Sequence, residues 1–187
     1  MKQERYRKPN AFTYAVAKLV SVFFNDIRLR NRYVKNELKG IKGPAVVLGN
    51  HTSSYDQFIA CRACRRRMTF VISDAMYYTL PVGWFFSSLH MIHKQQFFTS
   101  LSDIRNMKDV VNNNGILCLY PAGVVPSCGK ATKLLSATGK LLKMLGTDTY
   151  IMREHGMYLS NPKWQKGIRR GKPETEIFRP GSSPACT

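Results

Sequence analysis

Acidic residues are scarce in this chain. It has 11 Asp and Glu residues against 29 Lys and Arg, which gives a formal net charge of +18 and an isoelectric point near 10.0. So large an excess of positive charge predicts an anionic partner, whether nucleic acid, anionic lipid headgroups or a phosphorylated small molecule. Composition leaves these three classes open.

Long apolar runs are also missing. The stretch from Ala11 to Phe24 contains Lys18 and is shorter than the roughly 20 residues that a helix needs to cross a bilayer. We therefore predict no transmembrane helix. The charged segment from Met1 to Pro9 has no cleavage site behind a secretory core, so we do not expect export.

The five cysteines are an odd number, and a chain of 187 residues can bury a sizeable core without disulfides. A reducing compartment is the simpler interpretation. Cys61 and Cys64 lack a second pair of Cys or His at zinc spacing, so we interpret them as helix-packing residues and predict no metal site. His90 and His93 fit a chance pair at a helix end.

Short apolar runs alternate with segments of helical periodicity. Strands are predicted at residues 45–48, 68–73, 91–92, 116–120 and 149–152, and helices at 10–30, 55–67, 100–114 and 133–145. The very apolar segment 80–89 fits either a buried helix or a lipid-facing patch. This alternation predicts an α/β fold, in which helices flank a mostly parallel central sheet.

The expected organisation is a single layered domain with a helix in front of it. Residues 1–35 form a basic segment with an amphipathic membrane-associating helix, residues 36–172 the α/β domain, and residues 173–187 a disordered tail rich in Pro, Gly and Ser. Ser53 or Ser54 is the expected N-cap of the helix at 55–67.

The N-terminal helix has its apolar residues at spacings of three and four, with Asn10 as a possible N-cap. The stripe consists of Phe12, Ala15, Val16, Leu19, Val20, Phe23 and Ile27. Two interpretations stay open: an interfacial helix whose stripe enters the acyl boundary, or an ordinary helix whose stripe packs on the core.

In parallel sheets, ligands bind at the carboxyl ends of the strands. The loop after the first predicted core strand carries His51 and Asp56. Five positions are too many for neighbours on one helix face, so the two side chains must meet through a turn. A carboxylate bound to one imidazole nitrogen leaves the other free to take a proton from a hydroxyl, which predicts an acid–base pair.

A second loop, residues 120–130, also follows a predicted strand. It is similar to a phosphate-binding P-loop only superficially, because five residues separate Gly123 from Gly129 and Ala131 replaces the metal-binding Ser or Thr. We therefore exclude nucleotide hydrolysis. A phosphate can still bind beside Lys130 at a helix start, and a plain strand–helix turn is the alternative.

Together, these two loops resemble those of the 1-acylglycerol-3-phosphate acyltransferase family of glycerolipid acyltransferases. The segment from His51 to Asp56, preceded by Asn50, matches the H-x4-D catalytic motif of that family. Tyr120-Pro121-Ala122-Gly123 lies where the family has Phe-Pro-Glu-Gly. The resemblance implies an α/β fold, a catalytic His and Asp, and an acceptor site near the second loop.

The region between the loops resembles the family more weakly, through Gly83, residues 91–94 and the helix before Gly115. Two departures concern the acceptor site. Ala122 stands in place of the acidic residue, and Val124-Val125 replaces the usual Thr-Arg. The carboxylate and guanidinium contacts of the family are therefore missing, and Lys94 or Lys130 is the candidate replacement.

The resemblance implies transfer of a fatty acyl group from acyl-CoA or acyl carrier protein to the hydroxyl of a lysophospholipid, foremost 1-acylglycerol 3-phosphate. His51 is the implied general base and Asp56 the residue that orients it. No cofactor is expected, because the thioester brings the activated group. The implied substrate-binding residues are Asn50, Ser53, Lys94, Tyr120, Pro121, Ala122, Gly123, Ser127 and Lys130.

The positive charge then suits the acceptor phosphate, the donor phosphates and an anionic membrane surface. We expect peripheral attachment at the cytoplasmic face and no nucleic-acid partner. The alternative is a non-enzymatic or degenerate member of the fold that binds anionic lipid or nucleic acid. Ala122 favours this alternative, and the intact pair of His51 and Asp56 opposes it.

Overall fold

The computed structural model describes residues 6–74, 77, 83–128, 136–162, 164–165 and 167–181. Its strands are β1 (Arg32–Asn36), β2 (Ala45–Gly49), β3 (Met68–Ser73), β4 (Ile92–Lys94), β5 (Ile116–Leu119), β6 (Asp148–His155) and β7 (Glu174–Phe178). Its helices are α1 (Ala11–Val22) with a π-helical extension (Phe23–Leu29), α2 (Asp56–Ala63), α3 (Gly83–Ser88), α4 (Leu101–Asn112), α5 (Thr138–Leu145) and α6 (Met157–Ser160).

The strands form one seven-stranded sheet in the order β1-β7-β6-β2-β5-β3-β4. Every neighbouring pair is parallel except β6 and β7. The predicted fold, a mostly parallel sheet flanked by helices and preceded by an N-terminal helix, is confirmed. Because β6, β2, β5, β3 and β4 run in the same direction, the loops that follow them gather at one edge of the sheet.

The central strand β2 is buried on both faces, which is why it is an unbroken apolar run. Val47 packs in one core with Ile116, whereas Val46 packs in the other with Leu117. Successive side chains of a strand point to opposite faces, so the two cores lie on opposite sides of the sheet. Cys61 and Cys64 are buried in the first of these cores.

The sheet extends beyond residues 36–172 at both ends. The expectation of a disordered tail from residue 173 is wrong for β7, which lies between β1 and β6. Thr175 and Ile177 are fully buried there, while the alternate residues Glu174 and Glu176 face outward. Residues 182–187 of the tail lie outside the described region.

The helix after His51 is shorter than predicted and has a different cap. It ends at Ala63 because Cys64 is extended, so the arginines at 65–67 lie outside it. Its N-cap is Tyr55, which makes no side-chain capping bond. Ser53 instead accepts a hydrogen bond from the Tyr55 N–H through its Oγ atom at 3.2 Å.

The N-terminal helix begins as predicted, since the Asn10 side chain accepts from the backbone N–H groups of Phe12 and Thr13. The apolar stripe is directed away from the core: Phe12 is 79% exposed and Leu19 72%. The opposite face is buried and consists of Thr13, Tyr14, Ala17 and Ser21. Within the described residues, no helix combines the length and apolar character needed to cross a bilayer.

Candidate active site

The loop between β2 and α2 brings His51 and Asp56 together. The Nδ1 atom of His51 lies 2.8 Å from Oδ2 of Asp56. The Asp56 side chain is fully buried, whereas 21% of the His51 side chain is exposed. The turn predicted from the five-residue spacing is present, and the outer face of the imidazole remains accessible to a bound molecule.

The carboxylate of Asp56 is held by the backbone of its own loop. Its Oδ2 atom accepts hydrogen bonds from the N–H groups of Thr52 at 2.7 Å and Ser53 at 3.0 Å. Asp56 is also the first residue of α2, where the helix dipole favours a negative charge. These contacts fix the position of the oxygen that faces His51.

An aromatic ring from the neighbouring strand supports the imidazole. Tyr120, which follows β5, stacks on His51 with ring centroids 4.8 Å apart. The ring of Tyr120 also lies directly against Gly49, where a Cβ atom would be 2.5 Å from Tyr120 Cε1 and 2.9 Å from Met152 Cε. Glycine at position 49 therefore leaves the space that Tyr120 needs to reach His51.

Strand β6 brings a second carboxyl group, Glu154, to the site. This residue was not predicted from the sequence. The hydroxyl of Thr52 lies 3.1 Å from Glu154 Oε2 and 3.3 Å from Asp56 Oδ1. Burial raises the pKa of the Glu154 carboxyl well above its usual range, and the negative charge of Asp56 raises it further. An acidic residue within an apolar strand would have indicated a functional carboxyl group, but the strand predicted from the sequence ended at residue 152.

Two adjoining cavities open beside His51. The larger has a volume of about 460 Å³ and extends between the sheet and helices α4 and α5, lined mostly by apolar side chains such as Phe70, Ile104 and Leu141. The smaller, about 210 Å³, is lined by polar groups that include Ser54, Gln96 and Asn161. Ser54 and Gln96 also line the larger cavity, as do Ser73, Gly123 and Val125. His51 thus stands where an apolar chain and a polar group would meet.

A model of the acyltransferase family matches residues 26–152, more than half of the chain. The chain belongs to the acyltransferase family. The match includes His51, Asp56 and the whole of the second loop, and it confirms the family resemblance. No significant match was found among curated proteins.

The fold of this acyltransferase is similar to the crystal structure of the 1-acyl-sn-glycerophosphate (LPA) acyltransferase PlsC from Thermotoga maritima. The TM-score is 0.68 at 15% sequence identity, and the match covers 93% of this chain and 70% of that chain. At this level of identity, the likeness shows that the two proteins share a fold.

Four of the substrate-binding residues predicted for the acyltransferase line the larger cavity. They are Lys94, Tyr120, Pro121 and Gly123. The Nζ atom of Lys94 donates to the carbonyls of Gln95 at 3.0 Å and Phe98 at 2.8 Å. Burial lowers the pKa of its ammonium group. Lys130 lies outside the described residues.

Four others do not line either cavity. Asn50 bonds to β6 through both ends of its amide, to the carbonyl of Glu154 at 3.0 Å and to its N–H at 2.8 Å. Ser53 is buried and donates to Asn161 Oδ1 at 3.1 Å. Ala122 is buried, and the Ser127 carbonyl accepts from Tyr158. These four support the loops, while Ser54 and Gln96 take the cavity positions.

Proposed function

We propose that this acyltransferase moves a fatty acyl group from acyl-CoA or acyl carrier protein to the hydroxyl of a lysophospholipid, foremost 1-acylglycerol 3-phosphate. The observation that carries the proposal is the His51–Asp56 pair, which stands where a mostly apolar cavity meets a smaller and more polar one. The pair supplies a general base, and the cavities supply room for a chain and for the polar acceptor.

In the proposed reaction, Asp56 holds the Nδ1–H of His51, so that Nε2 is the free base. Nε2 takes the proton of the acceptor hydroxyl while the hydroxyl oxygen attacks the thioester carbonyl carbon. The carbon–sulfur bond then breaks, the thiolate leaves, and it receives the proton from the His51 imidazolium. The products are an oxygen ester and a free thiol, with no net change in protons.

The larger cavity suits the acyl chain. Its volume of about 460 Å³ lies within the roughly 300–1,000 Å³ typical of ligand pockets, and apolar side chains of the sheet, α4 and α5 dominate its wall. A saturated chain bound there leaves water, which favours binding in proportion to the apolar area covered. Its thioester end would then lie beside His51.

The acceptor phosphate needs a cation. Lys94 lines the larger cavity, and two of the three N–H donors of its ammonium group bind backbone carbonyls. The third is available for a phosphate oxygen. Lys130 is the second candidate, since it is the last residue of the loop whose Gly123 lines both cavities. These lysines would replace the guanidinium contact that Val125 cannot make.

The direct test is release of free thiol from acyl-CoA or acyl carrier protein by the purified protein. We expect release to depend on added 1-acylglycerol 3-phosphate and to produce a diacyl product visible by mass spectrometry. Glycerol 3-phosphate and lysophosphatidylcholine are the comparison acceptors. Absence of acceptor-dependent release with every donor and acceptor would refute the proposal and favour the non-enzymatic alternative.

We also propose that α1 attaches the enzyme peripherally to an anionic membrane at the cytoplasmic face. The exposed stripe of Phe12, Val16, Leu19, Val22, Phe23 and Ile27 supports this proposal, because it turns apolar side chains outward along one helix. The net charge of +18 supplies the attraction to anionic headgroups. Salt should weaken the electrostatic part of binding and leave the apolar part.

Substitution of Leu19 by Glu should weaken attachment to vesicles by about tenfold or more, because a leucine side chain no longer leaves water on binding. Vesicle flotation at low and high salt measures the effect. Leu159→Glu is the matched control, since Leu159 is 68% exposed and Leu19 72%, and both variants change charge equally. Equal loss in both variants, or wild-type binding that ignores lipid charge, would contradict the proposal.

A further inference from the structure

A buried carboxyl group lies behind the pair of His51 and Asp56 and has no part in the proposed proton transfer. Glu154 is 4% exposed, and Asp56 is fully buried. The hydroxyl of Thr52 lies within hydrogen-bonding distance of both carboxyl groups, 3.1 Å from Glu154 and 3.3 Å from Asp56. The two acids therefore occupy one small polar site beneath the imidazole.

The surroundings of Glu154 favour a neutral acid. The titratable groups that interact electrostatically with it are Asp56, Tyr33, Cys118 and Tyr120. Burial raises the pKa of each of the last three, so these phenol and thiol groups stay neutral, and none of them can supply a compensating positive charge. An ionised Glu154 would face the carboxylate of Asp56 in a buried site, which is strongly unfavourable.

A neutral carboxyl group differs from an ionised one because it can donate. Burial and the charge of Asp56 both raise the pKa of Glu154, and the two side chains are hydrogen-bonded. Among the described residues no donor reaches the Glu154 Oε1 atom, whereas Oε2 accepts from Thr52, so Oε1 is the oxygen that carries the proton. The proton held on Glu154 is thus a donor to the oxygens of Asp56.

We propose that Glu154, as a protonated acid, is a positioning residue that donates to the Asp56 carboxylate and keeps its Oδ2 atom directed at His51. The inference rests on the proposed role of His51 as general base. Thr52 joins the two carboxyl groups, and the side-chain amide of Asn50, bound to the backbone of Glu154, fixes β6 to the same loop. Contacts with strand β6 therefore hold the catalytic pair in place, in addition to the contacts within its own turn.

The test compares Glu154→Leu with Glu154→Gln in acyl transfer from the thioester. Leucine removes the donor, and we expect kcat to fall by about 10- to 100-fold, the effect of losing a hydrogen bond to a charged group. KM should stay within about twofold, because Glu154 contacts no substrate. Glutamine keeps a neutral donor and should restore kcat to within about threefold of the wild type.

Glu174→Leu is the matched control, because it makes the same change at a half-exposed glutamate on β7. It should leave kcat unchanged. If Glu154→Leu does not fold, Thr52→Val replaces it, since valine removes the hydroxyl that joins the two carboxyl groups and should lower kcat in the same way. An unchanged kcat in a folded Glu154→Leu, or a Glu154→Gln as impaired as Glu154→Leu, would overturn the inference.

A second readout needs no turnover: the NMR resonance of the His51 Nδ1 proton, which reports its bond to Asp56. This resonance should move in Glu154→Leu and stay in place in Glu154→Gln and Glu174→Leu. A wild-type protein without acyl transfer would refute the proposed function alone. A resonance that is the same in Glu154→Leu as in the wild type would refute the positioning role, whatever the activity.

Discussion

Replacement of His51 by Ala should abolish nearly all acyl transfer while the protein folds normally. General-base assistance is worth about 10²- to 10⁴-fold in rate, and we expect kcat to fall by at least that factor. The imidazole is partly exposed at the junction of the two cavities, so its loss leaves no buried void and the melting temperature should change little. Thiol release under saturating donor and acceptor measures the effect.

His93→Ala is the matched control for this substitution. Its Nδ1 atom lies 3.7 Å from Asp74 Oδ1, so it is a second histidine near an aspartate, but it lines neither cavity. We expect wild-type turnover from this variant. A purified, folded His51→Ala enzyme that kept wild-type transfer would show that another group is the base.

The second large effect is expected for Asp56→Asn, which keeps the shape of the side chain and removes its charge. Asp56 Oδ2 accepts from His51 and from the N–H groups of Thr52 and Ser53. An asparagine amide that satisfies the two backbone donors with its oxygen cannot also stabilise the imidazolium. Loss of the orienting carboxylate in a His–Asp pair costs on the order of 10⁴-fold in kcat.

Asp56→Asn should also destabilise the fold, because the amide brings donors into a fully buried site built for an acceptor. A buried donor without a partner costs about 1–3 kcal/mol, which thermal unfolding will register. Asp26→Asn is the control, since Asp26 forms a half-exposed ion pair with Arg62. If Asp56→Asn kept the wild-type kcat, Asp56 would not be the residue that orients His51.

Local signals predicted much of the fold. The bounds of β3 agree with the prediction, and β2 differs by one residue, because both strands are apolar runs between clear turns. Ser100 begins α4 through a reciprocal capping box with Asp103. The spacing of His51 and Asp56 was sufficient to predict a turn, and that turn brings them to 2.8 Å.

Features that depend on distant neighbours could not be predicted in this way. Strand β7 reads as a polar segment because Glu174 and Glu176 alternate with its two buried residues, and it needs β1 and β6 beside it. A glutamate such as Glu154 is tolerated in a buried strand because Asp56 and Thr52 contact it, and both lie about 100 positions earlier in the chain.

The orientation of helix α1 also depends on residues that are distant in the sequence. Its periodicity identified which residues share a face, but which face meets the protein depends on distant partners. The hydroxyl of Tyr14 accepts from the Met68 N–H at the start of β3, and the small residues Ala17 and Ser21 allow close approach. The face that packs is therefore the less apolar one, and the apolar stripe remains outside.

The position of β7 has a consequence for how the chain assembles during synthesis. Strand β1 has β7 as its neighbour in the sheet, and β7 also covers one side of β6. A nascent chain that has not yet emerged as far as Glu174–Phe178 leaves β1 unpaired and exposes an edge of the strand that carries Glu154. Such long-range pairing slows folding, so the sheet is completed only after Glu174–Phe178 has been translated, well after β1.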